Sequence, residues 1–292
     1  MGTARESPAA RVHLVQLDIA WEDKQANHER ITQLVHAAAP AAGDLVVLPE
    51  MFDTGFSLRV AKTGRDPDVS IAFLRHLATS HGVTVVGGIT VRQESGRGLN
   101  RAMVIGPDGE TRCTYDKVHP FSFGREQERF DGGGEAGVTW AWEQAGVQAC
   151  PVVCYDLRFP ELFRAGLDRG AEAFVVIANW PEARREHWRA LVISRAIENQ
   201  AYVIAVNRCG TDPHLAYAGG SLAVDPQGQV LVEADGHAGI WAAGVEQAAV
   251  RGWRQAFPAW QDRRVGPDGR ITPERPVTGL RGENQGGVAA ER

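Results

Sequence analysis

The sequence has few cysteines and no long apolar segment, and both absences narrow the class of protein. Four cysteines in 292 residues are too few for a disulfide framework, so we expect a reduced, cytoplasmic protein. No apolar run approaches the ~18 residues of a membrane span, and the first residues lack the apolar core of a signal peptide. The formal net charge of -5 argues against a protein that coats nucleic acid or anionic lipid. We therefore expect neither nucleic acid nor membrane as a partner.

Several common catalytic motifs are also missing. The chain contains no G-x-x-x-x-G-K-[ST], no H-E-x-x-H and no G-x-S-x-G, which excludes the usual phosphate loop, zinc helix and serine elbow. Gly132, Gly134 and Gly137 match G-x-G-x-x-G, but no strand precedes them and a strand-like run follows. This context argues against dinucleotide binding. Cys150 and Cys154 lack the other ligands of a zinc site.

Short apolar runs alternate with amphipathic stretches, which predicts strands separated by helices. The first half predicts strands over 11–20, 44–50 and 83–90, helices over about 23–39 and 68–81, and a hairpin over 100–116. The second half repeats this order with strands over 147–154, 171–179 and 201–208, helices over about 160–169 and 185–199, and a hairpin over 220–234. The pattern favours an α/β fold, a four-layer α-β-β-α sandwich of two mixed sheets with helices outside, over one doubly wound sheet.

The composition changes near residue 262. Residues 263–292 are rich in Arg, Gly, Pro, Glu and Gln and carry few large apolar side chains. We predict one domain over 1–262 and a polar C-terminal tail over 263–292. The tail is expected either to be disordered or to lie across a partner subunit.

Three chemically active side chains stand at the ends of predicted strands or hairpins. Cys154 lies at a strand-to-helix turn, where a nucleophile stands clear of its backbone and nearby amides favour a thiolate. Glu50 ends an apolar strand, where partial desolvation suits a general base. Lys117 leaves the first hairpin and can supply a fixed positive charge. Each residue alone also fits an ordinary role: an inert core cysteine, a solvated loop glutamate or a surface lysine.

Together these residues carry a resemblance. In the order Glu50, Lys117, Cys154, within the segments VVLPEMFDTGF, YDKVHPF and PVVCYDLRFPE, they resemble the Glu-Lys-Cys triad of the nitrilase superfamily of carbon–nitrogen hydrolases. The resemblance covers about residues 11–262 and implies the nitrilase-like sandwich. CYDLRFPE, ANWP and RAIENQAY resemble the omega-amidase branch, which hydrolyses the terminal amide of 2-oxoglutaramate and 2-oxosuccinamate.

The resemblance also implies a mechanism without a metal or organic cofactor. Cys154 would attack the amide carbon, Glu50 would move the thiol proton, and Lys117 would stabilise the oxyanion before a thioester is hydrolysed. The family has a second glutamate between the lysine and the cysteine. Glu126 matches it by spacing, and Glu128 stays open as the alternative.

Five further residues are expected around the substrate. The backbone N–H of Tyr155 would assist the oxyanion. Arg158 would either pair the substrate carboxylate or form a structural ion pair with Asp156 or Glu161. If Arg158 is not the anchor, Arg184 or Arg185 takes its place. The remaining residues are expected as pocket walls, with core packing as the alternative: Phe56, Phe123 and Trp180.

Two other functions stay open at this level. The first is another carbon–nitrogen hydrolase, such as an N-carbamoyl amino acid amidohydrolase or a nitrilase. The second is a non-catalytic interaction scaffold, against which the complete set of Glu50, Lys117 and Cys154 argues. The expected partners are a small amide substrate and further copies of the chain, as a homodimer or higher oligomer.

Overall fold

A computed structural model describes residues 10–266 and 270–271. The helices are α1 (Lys24–Ala38), α2 (Val60–Thr63), α3 (Pro67–His81), α4 (Pro160–Asp168), α5 (Arg185–Asn199) and α6 (Gln247–Ala256). The strands are β1 (Ala10–Gln16), β2 (Leu45–Val47), β3 (Thr84–Arg92), β4 (Gly98–Ile105), β5 (Thr111–Asp116), β6 (Trp140–Trp142), β7 (Val147–Val153), β8 (Ala173–Ala178), β9 (Tyr202–Asn207), β10 (Cys209–Thr211), β11 (Ala216–Ala218), β12 (Leu222–Val224), β13 (Val230–Glu233) and β14 (Gly239–Val245). Most of the predicted tail over 263–292 lies outside the described residues, so it stays a prediction.

Local signals in the sequence explain where the helices begin and end. The side chain of Asp23 accepts a hydrogen bond from the backbone N–H of Ala26 and caps α1. Pro67 and Pro160 open α3 and α4, where a missing N–H costs nothing. Gly82 ends α3 in the left-handed conformation that glycine adopts without strain.

The strands form two mixed sheets of six strands each. The first has the order β14-β1-β2-β3-β4-β5, and the second has the order β13-β12-β9-β8-β7-β6. Strands β1, β2 and β3 are mutually parallel, as are β7, β8 and β9, whereas the outer strands pair antiparallel. A short ribbon of β10 and β11 stands apart from both sheets.

Side chains alternate between the two faces of each strand, and this alternation separates the layers of the fold. Val46 and Val85 pack with α1 and α3 on the outer face of the first sheet. Their neighbours Val47 and Val86 point the other way, into the core shared with the second sheet. Apolar residues of α4 and α5 cover the far side of the second sheet, as at Phe163. The predicted four-layer α-β-β-α sandwich is confirmed.

The first sheet is completed by a strand from late in the chain, which the sequence pattern did not predict. Strand β14 pairs antiparallel with β1 from Ala10–Val245 to Gln16–Gly239. Without it, the largely buried strand β1 would leave an open edge. The first sheet therefore contains a strand from the second half of the chain, and the two sheets do not correspond to the two halves of the sequence.

Among the described residues, no helix combines the length and apolar character that a membrane crossing requires.

Candidate active site

Four polar residues meet where strands of both sheets end. Glu50 lies three residues after β2, and Lys117 directly follows β5, which runs parallel to β2 because two antiparallel pairings separate β5 from β3. Cys154 and Asn179 directly follow β7 and β8 of the second sheet. The carboxyl ends of strands are where open α/β sheets bind ligands. The fold thus brings residues distant in sequence into one cluster.

Lys117 lies between two buried carboxylates. Its Nζ donates to Glu50 Oε1 at 2.9 Å and to Glu126 Oε2 at 2.8 Å, and all three side chains are at most 1% exposed. The Nδ2 of Asn100 donates to both carboxylates, at 2.6 Å and 2.9 Å. The backbone N–H of Phe121 donates to Glu126 Oε2 at 2.6 Å. These bonds hold both carboxylates in fixed positions around one ammonium group.

The charges of this cluster keep the ammonium protonated. Burial alone would lower the pKa of Lys117, but the carboxylates of Glu126 and Glu50 raise it well above its usual value. Two carboxylates and one ammonium leave a net negative charge inside the protein. Such a cluster is tolerated only because its members are paired and hydrogen-bonded.

The second oxygen of Glu50 faces the other sheet. The backbone N–H of Asn179 donates to Glu50 Oε2 at 2.8 Å, and Asn179 Nδ2 donates to the backbone carbonyl of Glu50 at 2.7 Å. Glu50 is therefore fixed from both sheets. Its carboxylate links the ammonium of Lys117 to the segment that follows β8.

Cys154 occupies a strained turn beside this cluster. Its φ of 47° lies in the left-handed region, which is uncommon for a residue with a side chain and recurs at functional sites. Its Sγ lies 3.9 Å from the backbone oxygen of Asn179. Burial raises the pKa of the Cys154 thiol well above its usual value; the charge of Glu50 adds to this effect and Lys117 opposes it. This direction favours the protonated thiol and runs against the thiolate that the neighbouring amides led us to expect from the sequence.

Asp156 ties the turn of Cys154 to the segment of Lys117. Its fully buried carboxylate accepts hydrogen bonds from the Tyr115 hydroxyl at 2.7 Å and from the backbone N–H groups of Val118 and His119 at 3.3 Å and 2.9 Å. The His119 ring lies 2.8 Å from the same carboxylate and stacks on Phe159. Asp156 therefore fixes the separation between the nucleophile turn and the segment that carries Lys117.

A cavity of about 410 Å³ opens above Cys154. Its walls are mainly aromatic: Phe56, Phe121, Phe123, Tyr155, Trp180 and Tyr217. Trp180 is buried, whereas Phe123 stands at the rim and is 82% exposed. A pocket with apolar walls and a few polar groups at fixed positions is typical of small-molecule sites.

Three arginines line this cavity, and two of them, Arg158 and Arg184, lie against its aromatic walls. The guanidinium of Arg158 lies 4.8 Å from the ring centre of Trp180, and that of Arg184 lies 5.4 Å from the ring centre of Phe121. Among the described residues, neither forms an ion pair with a carboxylate. Burial lowers the pKa of Arg158, and the positive charge of Arg184 lowers it further. The third arginine, Arg59, pairs with Glu22, so the cavity presents two guanidinium groups that have no carboxylate partner among the described residues.

The structure brings together all the residues predicted for the site. Of the two candidates for a second glutamate, Glu126 lies against Lys117, whereas Glu128 is exposed and pairs with Arg125. Phe56, Phe123, Tyr155, Arg158 and Trp180 all line the cavity. The alternative ion pairs of Arg158 with Asp156 or Glu161 do not form within the described part of the chain.

Three important residues were missed by sequence reasoning: Asn100, Asn179 and Asp156. Asn179 directly follows the buried run of β8, so its position at a strand end was a usable signal. Asp156 lies within the CYDLRFPE segment but was considered only as a partner of Arg158. Asn100 gave no signal, because an asparagine in an otherwise mixed strand looks like any polar residue.

Comparison with known proteins agrees with this geometry. The carbon-nitrogen hydrolase family matches residues 11–255. The chain belongs to this family. This carbon–nitrogen hydrolase is 36% identical over 257 residues to omega-amidase YafV of Escherichia coli K12. The alignment covers 87% of this chain and 97% of the relative. It is 32% identical to the 2-oxoglutaramate amidase of Bacillus subtilis, with the same coverage of both chains.

Solved structures show the same fold for the hydrolase. A CN-hydrolase superfamily protein of Xanthomonas campestris, crystallised with an arsenic adduct in its active site, superposes with a TM-score of 0.80. Its sequence is 36% identical, and the match covers 87% of this chain and 97% of that one. The predicted membership of the nitrilase superfamily is confirmed.

Proposed function

We propose that the protein is an omega-amidase, which hydrolyses the terminal amide of 2-oxo dicarboxylic acid monoamides such as 2-oxoglutaramate and 2-oxosuccinamate. The observation that carries the proposal is the cavity itself. It holds a cysteine beside a buried carboxylate and ammonium, and two guanidinium groups without carboxylate partners. The names of the Escherichia coli and Bacillus subtilis relatives support the same substrate class.

Acylation begins with the neutral thiol of Cys154. As Sγ bonds to the amide carbon, the thiol proton passes to Glu50, whose Oε1 already accepts from Lys117. The carbonyl oxygen becomes an oxyanion, which the Lys117 ammonium and the backbone N–H of Tyr155 stabilise. The proton held by Glu50 then moves to the amide nitrogen, the C–N bond breaks, and ammonia leaves a thioester on Cys154.

Deacylation uses Glu50 as the base again, with water in place of the thiol. Glu50 accepts a proton from a water molecule, which attacks the thioester carbon. The second oxyanion uses the same donors, the C–S bond breaks, and the proton returns to Sγ of Cys154. Glu126 keeps Lys117 charged and fixed through both halves of the reaction, because it accepts a second hydrogen bond from the Nζ that also donates to Glu50.

The two arginines give the pocket its preference for an acidic substrate. A planar guanidinium binds a carboxylate through two parallel hydrogen bonds, and Arg158 lies 4.8 Å from the ring centre of Trp180 with no carboxylate partner among the described residues. We assign the 1-carboxylate of the substrate to Arg158. Arg184, which lies over Phe121 and Phe123 in the wall of the same cavity, is the second group that we assign to the carboxylate or the neighbouring 2-oxo group.

The proposal also covers the setting in which the enzyme works. All four cysteines are free thiols, which supports a reducing compartment such as the cytoplasm. A homodimer remains the assembly that we propose from the sequence.

A substrate panel tests the function. Ammonia release should be fastest from 2-oxoglutaramate or 2-oxosuccinamate and slower from neutral amides, nitriles and N-carbamoyl amino acids. Arg158→Lys should lower the kcat/KM ratio of acidic to neutral amides roughly 10- to 150-fold, since a charge-assisted hydrogen bond contributes about 1.5–3 kcal/mol. Arg185→Lys is the matched control, because Arg185 pairs with Glu186 away from the cavity.

Two results would contradict the proposal. Fastest turnover of a nitrile or an N-carbamoyl amino acid would assign the enzyme to another carbon–nitrogen hydrolase activity. An unchanged acidic-to-neutral ratio in Arg158→Lys would reject Arg158 as the carboxylate anchor.

A further inference from the structure

A second cavity, of about 860 Å³, lies on the surface beside the candidate active site. Five exposed cationic side chains line it, and we call it the basic groove: Arg59, Lys62, Arg65, Arg125 and Arg129. One acidic residue, Glu128, also lines it. The basic groove therefore carries a net charge of about +4 on a protein whose formal net charge is -5.

Only part of this positive charge is neutralised within the protein. Arg59 and Lys62 share the carboxylate of Glu22, at 2.9 Å and 2.8 Å, and Arg125 pairs with Glu128. Within the described residues, Arg65 and Arg129 form no ion pair with a carboxylate, and the only acid on which Arg129 is seen to act there is Glu128, which already pairs with Arg125. An exposed cluster with surplus cations projects a positive potential into the solvent around it.

The basic groove adjoins the mouth of the active-site cavity. Leu58 and Arg59 line both cavities. On the opposite side, Gly124 lines the active-site cavity, and the next residue, Arg125, lines the groove. A molecule that enters the pocket past these residues passes through the potential of the groove.

We propose that the basic groove is an anion-collecting antechamber, which draws small carboxylates from solution to the pocket of Cys154. This inference rests on the proposed function, because an omega-amidase substrate carries a negative charge and a simple neutral amide does not. The groove acts at long range and on any small anion, whereas Arg158 acts by contact inside the pocket. Its contribution should therefore disappear at high ionic strength, when screening shortens the reach of exposed charges.

Two alkylating agents of similar size test the inference without depending on the natural substrate. Iodoacetate is an anion and iodoacetamide is neutral, and both react with the Cys154 thiol, which is followed by the mass of its peptide. The measured quantity is the second-order rate constant for iodoacetate divided by that for iodoacetamide. Because both agents attack the same sulfur, the ratio cancels any change in its reactivity.

The test variant is Arg65→Glu/Arg129→Glu, and Arg65→Gln/Arg129→Gln is a milder version in case charge reversal disturbs folding. Arg112→Glu is the control, since it sits beside the Ile105 end of β4, roughly 24 Å along the strand from the Gly98 end near the groove. At 0.1 M salt, where the Debye length is about 10 Å, the double Glu variant should lower the ratio roughly two- to fivefold.

The Gln variant should lower the ratio by about half as much on a logarithmic scale. Neither effect should survive at 1 M salt, where the Debye length is about 3 Å, and the Arg112→Glu ratio should match that of the wild type. A ratio unchanged in both double variants at 0.1 M salt would overturn the antechamber. That result would leave the omega-amidase proposal standing. If instead the double variants lower the alkylation ratio but the enzyme fails to hydrolyse 2-oxoglutaramate, the omega-amidase proposal fails and the groove is still shown to attract anions.

Discussion

A single ammonium between two carboxylates defines the chemistry at the scale of residues. Lys117 touches Glu50 and Glu126 at nearly equal distances, and Asn100 bridges the same two carboxylates from another side. The carboxylates therefore cannot move apart, and the ammonium cannot leave them. Such a group is preorganised to meet the oxyanion, which costs no rearrangement during the reaction.

Replacement of Lys117 by arginine tests whether the shape of the cation matters. Lys117→Arg keeps the charge, but the planar guanidinium does not fit a site built for a compact ammonium. We expect kcat to fall roughly 100- to 1,000-fold, the usual loss of one oxyanion donor. The exposed Lys62→Arg serves as the control. If Lys117→Arg keeps more than about a tenth of kcat, Lys117 has only a structural role.

The two neighbouring glutamates offer a matched pair of variants. Glu126→Gln removes one of the two charges that hold Lys117, so we expect kcat to fall roughly 10- to 150-fold. Glu128→Gln removes an exposed charge and should leave kcat unchanged. Steady-state kinetics of both variants decide the question. Equal effects of the two substitutions would show that Glu126 does not act through Lys117.

The raised pKa of Cys154 predicts a particular pH dependence. Because burial favours the neutral thiol, the thiolate fraction should keep rising with pH beyond the range of an ordinary cysteine, which ionises near pH 8.5. The alkylation rate of Cys154 by iodoacetamide should therefore increase without levelling off up to about pH 9.5. A plateau reached below about pH 8 would indicate a preformed thiolate instead.

At the scale of elements, the main link is Asp156, which connects the turn after β7 to the segment after β5. Its carboxylate satisfies two backbone N–H groups and the hydroxyl of Tyr115, all on the Lys117 side. A buried acceptor with several donors is costly to change, because each donor left without a partner loses a hydrogen bond in the interior. The link therefore controls the distance between nucleophile and ammonium without touching the substrate.

Asp156→Asn tests this positioning role. An asparagine cannot accept from every donor, so we expect a loss of about 2 kcal/mol or more in unfolding free energy. A displaced turn should also lower kcat at least about tenfold, while KM changes little, because the pocket walls remain. Asp116→Asn is the control, since Asp116 pairs with Arg101 near the surface. Lost stability with unchanged kcat would limit Asp156 to a role in folding.

The elements also show what sequence patterns can and cannot reveal. Continuous apolar runs marked β7, β8 and β9 clearly, because both faces of these strands are buried. Strand β14 gave no such pattern, because Gly239 and Gly244 and partial exposure of its residues dilute the signal. Its pairing with β1 depends on tertiary structure alone, because 222 residues lie between the end of β1 at Gln16 and Gly239.

The residues of the site divide in the same way, into those that local sequence reveals and those that depend on tertiary structure. Glu50, Lys117 and Cys154 were identifiable because they lie at or shortly after the ends of strands and match family segments. Asn100 and Asn179 act through contacts that only the folded chain creates.

At the scale of the whole molecule, the described residues of the site all come from the part of the chain that forms the sandwich. The family match ends at residue 255, and within the described part of the chain the residues that line the two cavities lie between Trp21 and Tyr217. Removal of residues 266–292 should therefore leave kcat/KM and the unfolding midpoint unchanged. The comparison needs the full chain and the truncated chain at equal concentration. A folded but inactive truncated protein would show that the tail completes the pocket or a subunit interface.

The mass of the enzyme during a single turnover tests whether Cys154 carries the acyl group. Acid-quenched samples with 2-oxoglutaramate should show a transient mass increase equal to the acyl group, confined to the peptide of Cys154. Cys154→Ala should stay folded, show no adduct and release no ammonia. An acyl group on another residue, or ammonia release by Cys154→Ala within about tenfold of the wild-type rate, would contradict the account.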